Sequence, residues 1–254
     1  MEIITELKDH VLRIEINRPE KKNAITVAMY AAMADAFEHA ESNSDVRVLL
    51  IHGKADMFTA GNDLVDFDNA PQREGTPPVF RFLNALSTAP KPLVAAVTGP
   101  AVGIGTTMLL HCDLVYAGQN ARFILPFVNL GLCPEAASSY LLPRLTGHQR
   151  AAEILMLGEP FNSAKAREIG IVTEILPDAD VFDYAKAQAA LLAAKPPSSV
   201  RATKQLMKAS QAPLVKQAML AERTQFSNLL VAPEAKEAFK AFFEKRKPDF
   251  SKFR

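Results

Sequence analysis

Between Gly99 and Tyr140 the chain sets out residue types that together could move a proton on carbon. Lys91-Pro92-Leu93-Val94-Ala95-Ala96-Val97 reads as a buried strand running into Thr98-Gly99-Pro100-Ala101-Val102-Gly103-Ile104-Gly105, a turn without bulky side chains. About thirty residues on, Leu130-Gly131-Leu132-Cys133-Pro134-Glu135 puts one carboxylate into apolar sequence. A glycine-lined turn frees backbone N–H groups to hold an oxyanion, and a lone carboxylate nearby can carry the proton. The combination points to carbon-acid chemistry on a thioester.

Each piece also has a plainer reading. Phe58-Thr59-Ala60-Gly61-Asn62-Asp63-Leu64 follows a strand, and its small residues would let a ligand approach the backbone; the same letters suit a surface turn. Gly99–Gly105 is read as opening a helix, whose first N–H groups lack intrahelical partners and suit an anion, or else as a close helix-on-strand contact. It lacks the Gly-Lys-Ser/Thr of a phosphate loop and the spacing of a dinucleotide fingerprint. Glu135 is placed at the second position of a helix, where an acidic side chain would complement the dipole. Its neighbours Phe127, Val128, Leu130, Leu132 and Tyr140 argue instead for a desolvated carboxylate of raised pKa. Ser138 and Ser139 have no histidine placed by sequence to activate them and read as helix-surface or capping groups.

The elements that must position these groups follow from periodicity. Val11–Asn17 alternates as a strand with one wet face, a helix runs from Thr26 to Ala40, and Val46–Gly53 is a second strand. Asp63–Thr76 reads as a mobile flap, Pro78–Ser87 as a helix, and Leu93–Val97 as a strand. A helix Ile104–His111 and strands Leu114–Tyr116 and Arg122–Leu125 come next. Pro143 is expected to end one helix, Gln149–Leu157 is another, and Ser163 begins a short one that Gly170 ends. Ile171–Leu176 is a last strand. Beyond it lie helices near 180–194, 197–209, 214–230 and 234–246, with Pro197, Pro213 and Pro233 at their starts. The plan is an α/β core over 1–195 and a helical region over 196–254.

At 254 residues there is ample material for a core, and a net charge of +1 offers no basic surplus for nucleic acid or an anionic membrane. Charged residues interrupt the apolar runs before any could span a bilayer. Cys112 and Cys133 are too few for a disulfide scaffold, and His10, His39, His52, His111 and His148 show no zinc spacing, so no metal is expected. His111-Cys112-Asp113 are neighbours that point different ways and are not read as a metal or triad site. Met1–Glu6 lacks a signal-peptide plan and Ser251–Arg254 is not Ser-Lys-Leu, so a cytoplasmic location is expected.

Asn17-Arg18-Pro19-Glu20-Lys21-Lys22-Asn23-Ala24, Phe58–Leu64, Thr98–Gly105, Cys112-Asp113-Leu114-Val115-Tyr116-Ala117 and Arg122-Phe123, in this order and spacing, resemble the enoyl-CoA hydratase/isomerase (crotonase) superfamily along nearly the whole chain. The resemblance implies a spiral of ββα units and a helical C-terminal part that builds homotrimers, often paired into hexamers. It implies an acyl-CoA substrate, with coenzyme A entering as part of the thioester and no separate cofactor. The thioester oxygen would be held by the N–H groups of Asn62 and Ile104. Backbone around Lys22 and Ala60 would meet the adenine and pantetheine, and Phe242 and Lys245 of the same or a neighbouring subunit would reach the nucleotide. Gly61, Gly103, Phe127 and Leu130 are further expected substrate-binding positions.

Where hydratases of the superfamily carry two glutamates, this chain has Thr107 and Phe127. Its carboxylate is Glu135 instead, and Leu130–Tyr140 resembles the peroxisomal-type Δ3,Δ2-enoyl-CoA isomerases. The expectation is an isomerase shifting a 3-enoyl-CoA double bond to position 2 through Glu135. Hydration, hydrolysis or decarboxylation of an acyl-CoA, and a non-catalytic acyl-CoA- or RNA-binding member, are the alternatives.

Overall fold

The computed structural model describes residues 1–54, 56–68 and 76–253, the side chains of 67 and 68 excepted. Strands β1 (Ile3–Lys8) and β2 (Val11–Ile16) pair antiparallel. Asp9 and His10 between them both have positive φ, the backbone of a two-residue hairpin turn whose twist matches its strands. Helix α1 (Val27–Ser42) starts where Thr26 accepts the Met29 N–H, a capping bond that the sequence announces. β3 (Val48–His52), a short α2 (Leu64–Asp68), α3 (Pro78–Thr88) and β4 (Leu93–Val97) follow. After β4 come β5 (Pro100–Val102), α4 (Ile104–Thr107) with a 3-10 turn at Met108–His111, β6 (Leu114–Gly118) and β7 (Arg122–Ile124). The remainder is α5 (Ser138–Thr146), α6 (His148–Leu157), β8 (Phe161–Asn162), α7 (Ser163–Glu168), β9 (Glu174–Leu176) and the helices α8 (Val181–Ala193), α9 (Pro197–Ala209), α10 (Ala212–Leu230) and α11 (Pro233–Phe243).

The larger sheet runs β1-β2-β3-β4-β6-β9, parallel from β2 onward, and a second sheet runs β5-β7-β8. Alternate residues of each central strand go to opposite layers. Leu49, Ile51, Leu93, Ala95 and Val97 join the main core with Met33, Phe37 and Phe82, while Val48, Leu50, Val94 and Ala96 pack with Val181, Ala185 and Ala189 of α8. Burial on both faces explains why these strands read as unbroken apolar runs.

Several expectations are corrected. The strand from Val11 has no wet face, because α8 covers it; Glu15 is buried and forms ion pairs with Arg13 and Lys54. Three residues ahead of α4 pair as β5, and the helix expected over Ile104–His111 tightens to 3-10 geometry after Thr107. Glu135 is not in a helix: Ala136 and Ala137, both with positive φ, intervene before α5. Pro143 lies inside α5, which ends at Gly147; the bond it forgoes would go to residue 139, an exposed position. The last strand is shortened to β9, and β1 went unforeseen. Of the expected flap, Leu64–Asp68 forms α2, and 69–75 lies outside the described residues.

Gly53, just after β3, is a point where the fold tolerates no side chain. A Cβ there would lie 2.2 Å from the Met57 carbonyl oxygen and 2.6 Å from Phe58 Cα, both backbone atoms. Gly53→Ala is expected to cost about 3 kcal/mol of stability, read from urea unfolding, with the loss concentrated in the loop that carries Asn62.

Candidate active site

Two loops from different parts of the chain lie side by side. Thr59 pairs with Ala101 in an isolated bridge; its N–H donates to the Pro100 carbonyl (3.1 Å) and its carbonyl accepts from Val102 (3.0 Å). The amides around Asn62 are engaged: Ala60 donates to the Lys22 carbonyl (3.0 Å), Gly61 to Thr59 Oγ1 (3.1 Å) and Asp63 to the Ile25 carbonyl (3.0 Å). The Asn62 N–H finds no acceptor among the described residues. In the facing loop Gly103 donates to Ile124 (2.8 Å), and Thr106 and Thr107 bond back to the Gly103 carbonyl. Ile104, the first residue of α4, likewise has no acceptor for its N–H. Gly103 turns the chain at φ 56°, ψ −117°, a conformation essentially reserved for glycine, and a Cβ there would meet open space.

Glu135 is buried, 8% exposed, and its Oε1 has no hydrogen-bond partner. It lines a cavity of about 1990 Å³ that opens between α1 and α3 on one side and α9 and α10 on the other, with Leu83, Val215 and Met219 on its wall. Burial, and then the charge of Glu222, push its pKa up to about 8. The other described carboxylates on that wall are occupied: Asp63 pairs with Arg18 (2.7 Å), Asp66 caps α1 through the Val27 N–H (2.6 Å), and Glu222 takes N–H groups of the α5 start. Glu135 is therefore the acidic group left available for chemistry.

Three residues absent from the sequence-based list hold this centre. Tyr30, fully buried on α1, donates its hydroxyl to Asn62 Oδ1, and both burial and the Glu135 charge raise its pKa. His111 donates from Nε2 to the Ala136 carbonyl (2.7 Å), and burial lowers its pKa to about 4, so the ring is neutral. Glu222 reaches Ala137 and Ser139 from α10. In the sequence Tyr30 looks like core and Glu222 like a solvated helix position; no local letter pattern marks either.

The remaining expected positions divide. Lys22, exposed and of positive φ, and half-buried Ala60 are joined by their backbone bond, and Gly61 follows directly. Phe127 is buried and Leu130 half-buried in the core, and neither lines the cavity. Phe242 is 58% exposed at the end of α11, with Lys245 just beyond it; α11 packs on α10 and the Val128–Leu130 turn. Thr107 is buried with an unpartnered hydroxyl. Cys112 and Cys133 are both free, and among the described residues no cluster could hold a metal ion and no helix is long and apolar enough to cross a membrane.

Known proteins are similar to this chain in fold and sequence. A crystal structure of an enoyl-CoA hydratase/isomerase from Pseudoalteromonas atlantica T6c superposes with a TM-score of 0.95 at 41% identity, over 98% of this chain and all of that one. The 2,3-dehydroadipyl-CoA hydratase of Escherichia coli K12 is 33% identical over 98% of both chains. Enoyl-CoA delta isomerase 2 of Rattus norvegicus is 37% identical over 82% of this chain, which spans about half (55%) of that longer protein. The sequence pattern of the enoyl-CoA hydratase/isomerase family matches residues 6–253, and with the fold and the paired loops it establishes that the chain belongs to that family, the crotonase superfamily of acyl-CoA enzymes.

Proposed function

We propose that this enzyme shifts the double bond of a 3-enoyl-CoA to position 2, with Glu135 as the proton carrier and the N–H groups of Asn62 and Ile104 as the oxyanion hole. The observation that carries this reading is the single available carboxylate: Glu135 has a free oxygen in an apolar cavity, while Thr107 and Phe127 hold no acid or base.

Ionised Glu135 takes a proton from C2, leaving a planar dienolate whose charge sits on the thioester oxygen. The N–H groups of Asn62 and Ile104, neither of which has an acceptor among the described residues, would hold that oxygen and lower the barrier, each by about 3 kcal/mol in comparable sites. Glu135, now a carboxylic acid, returns its proton to C4 on the same face, and the double bond settles between C2 and C3. No water is consumed, so an apolar cavity suits the reaction. Lys22 and Ala60 would border the coenzyme A arm. Phe242 and Lys245, projecting from the end of α11, would reach the nucleotide of a neighbouring subunit in a homotrimer or hexamer; exposed Leu206, Met207 and Leu220 on α9 and α10 support such an assembly.

The second reading is hydration, favoured by the full-length match to a hydratase, with Glu135 activating water. A coupled assay on trans-3-hexenoyl-CoA, beside loss of crotonyl-CoA absorbance, separates the two. Fast migration with negligible hydration is expected. Hydration without migration would overturn the isomerase reading.

A further inference from the structure

We propose that Glu222, a residue of the C-terminal helix α10, is a positioning residue for Glu135: it anchors the loop that carries Glu135 and faces that side chain with a like charge. The inference rests on the proposed role of Glu135 and extends it to a region that the sequence assigns to assembly.

The loop needs an anchor. Ala136 and Ala137 both adopt left-handed backbone, at φ 58° and 57°, which costs an L-residue energy and is retained where surroundings enforce it. At the start of α5 the capping residue is Ala137, which has no side-chain acceptor to offer. Glu222 supplies both oxygens from 85 residues downstream: Oε2 accepts from the Ala137 N–H (2.6 Å), and Oε1 from the Ser139 N–H (2.9 Å) and hydroxyl (2.5 Å). His111 holds the Ala136 carbonyl from the other side. The Glu135 carbonyl accepts from the Ser138 N–H (3.0 Å) and hydroxyl (2.6 Å), so the loop is tied on both flanks of Ala136 while the Glu135 carboxyl is left free.

The same arrangement leaves Glu135 without the donors that Glu222 has. Burial raises the pKa of both carboxyls; at Glu222 three donors partly offset it, whereas Glu135 Oε1 has none. Groups facing Glu135 from the elements around it do not offset the second negative charge. Tyr30 of α1 is neutral, Cys133 of its own loop is held as a thiol by burial, and His111 of the 3-10 turn is neutral. Four of the cations on the cavity wall are turned elsewhere: Lys204 of α9 pairs with Asp113 (2.6 Å), Lys208 of α9 donates to the His111 carbonyl (3.0 Å), Arg223 of α10 stacks over Phe80, and Arg81 of α3 pairs with Asp35 and Glu38; Arg201 of α9 and Lys216 of α10 also line it, and neither shifts Glu135. Glu222 thus raises the proton affinity of Glu135 while holding its backbone still.

The test uses the full chain labelled with 13C at glutamate Cδ, the Glu135 resonance being the one lost in Glu135→Gln, so the readout is independent of turnover. In Glu222→Gln, which keeps the size and one acceptor oxygen but not the charge, the Glu135 midpoint is expected to fall by at least about one pH unit. In Glu222→Asp, which keeps the charge but is one methylene short, the midpoint stays in place and kcat on trans-3-hexenoyl-CoA drops up to about a hundred-fold, as a displaced catalytic group does. An unmoved midpoint in folded Glu222→Gln, or wild-type kcat in Glu222→Asp, would overturn the proposal. A wild-type protein that shows the coupled titration but no double-bond migration would instead uphold the pairing and refute the isomerase reading.

Discussion

Glu135→Gln is expected to lower isomerisation of trans-3-hexenoyl-CoA by about 10²–10⁴-fold, the range lost with a general acid–base group, while the Kd for a saturated acyl-CoA changes less than about threefold. The neutral amide is nearly isosteric and sits on a loop held by Glu222 and His111 through backbone atoms, so the binding surface survives the change. The Asn62 and Ile104 amides remain to polarise the thioester, but nothing removes the C2 proton. Steady-state kinetics and isothermal titration calorimetry on the same preparation separate the two effects. Isomerase activity within about tenfold of wild type would remove Glu135 from the mechanism.

The second large effect is on stability and depends on pH. In the folded protein the Glu135 pKa is about 8 against an ordinary value of 4.5, so the folded state holds this proton more tightly than the unfolded chain. Its contribution is complete below about pH 4.5 and is lost as pH rises through 8. The loss reaches at most about 5 kcal/mol, at 1.36 kcal/mol for each pH unit traversed. Glu135→Gln has no proton to lose. It should differ little from wild type at pH 5 and be more stable by about 3–5 kcal/mol at pH 8.5. Urea unfolding of both proteins at the two pH values measures the difference directly. An equal stability difference at both pH values would contradict the assignment. The predicted stabilisation is what a catalytic group held in an unfavourable environment should give when removed.

What the sequence carried, and what it did not, follows from where the determining interactions lie. β3 and β4 were legible because both faces are buried and every position is apolar. α1 was legible because Thr26 caps it from the adjacent position, and the C-terminal helices because Pro197, Pro213 and Pro233 fall in their first turns. The Asn62 and Ile104 loops could be found from their small residues, since close backbone packing requires them. The Glu135 loop resisted because its two left-handed residues are alanines rather than the glycine or asparagine that would announce them. Its cap comes from α10, far along the chain, and no window of local sequence contains both partners. Tyr30 was hidden in the same way: a buried aromatic on a helix face looks like core until its hydroxyl is seen to meet Asn62.

The central claim is that one carboxylate removes and returns the proton. It is tested most directly by supplying 3-hexenoyl-CoA deuterated at C2, in ordinary water, and locating the label in the 2-enoyl product early in the reaction. With buried Glu135 carrying the proton and returning it within the same turnover, deuterium leaves C2 and a measurable fraction arrives at C4. A product whose C4 carries no deuterium above background at any conversion would contradict a single carrier that keeps its proton between the two transfers.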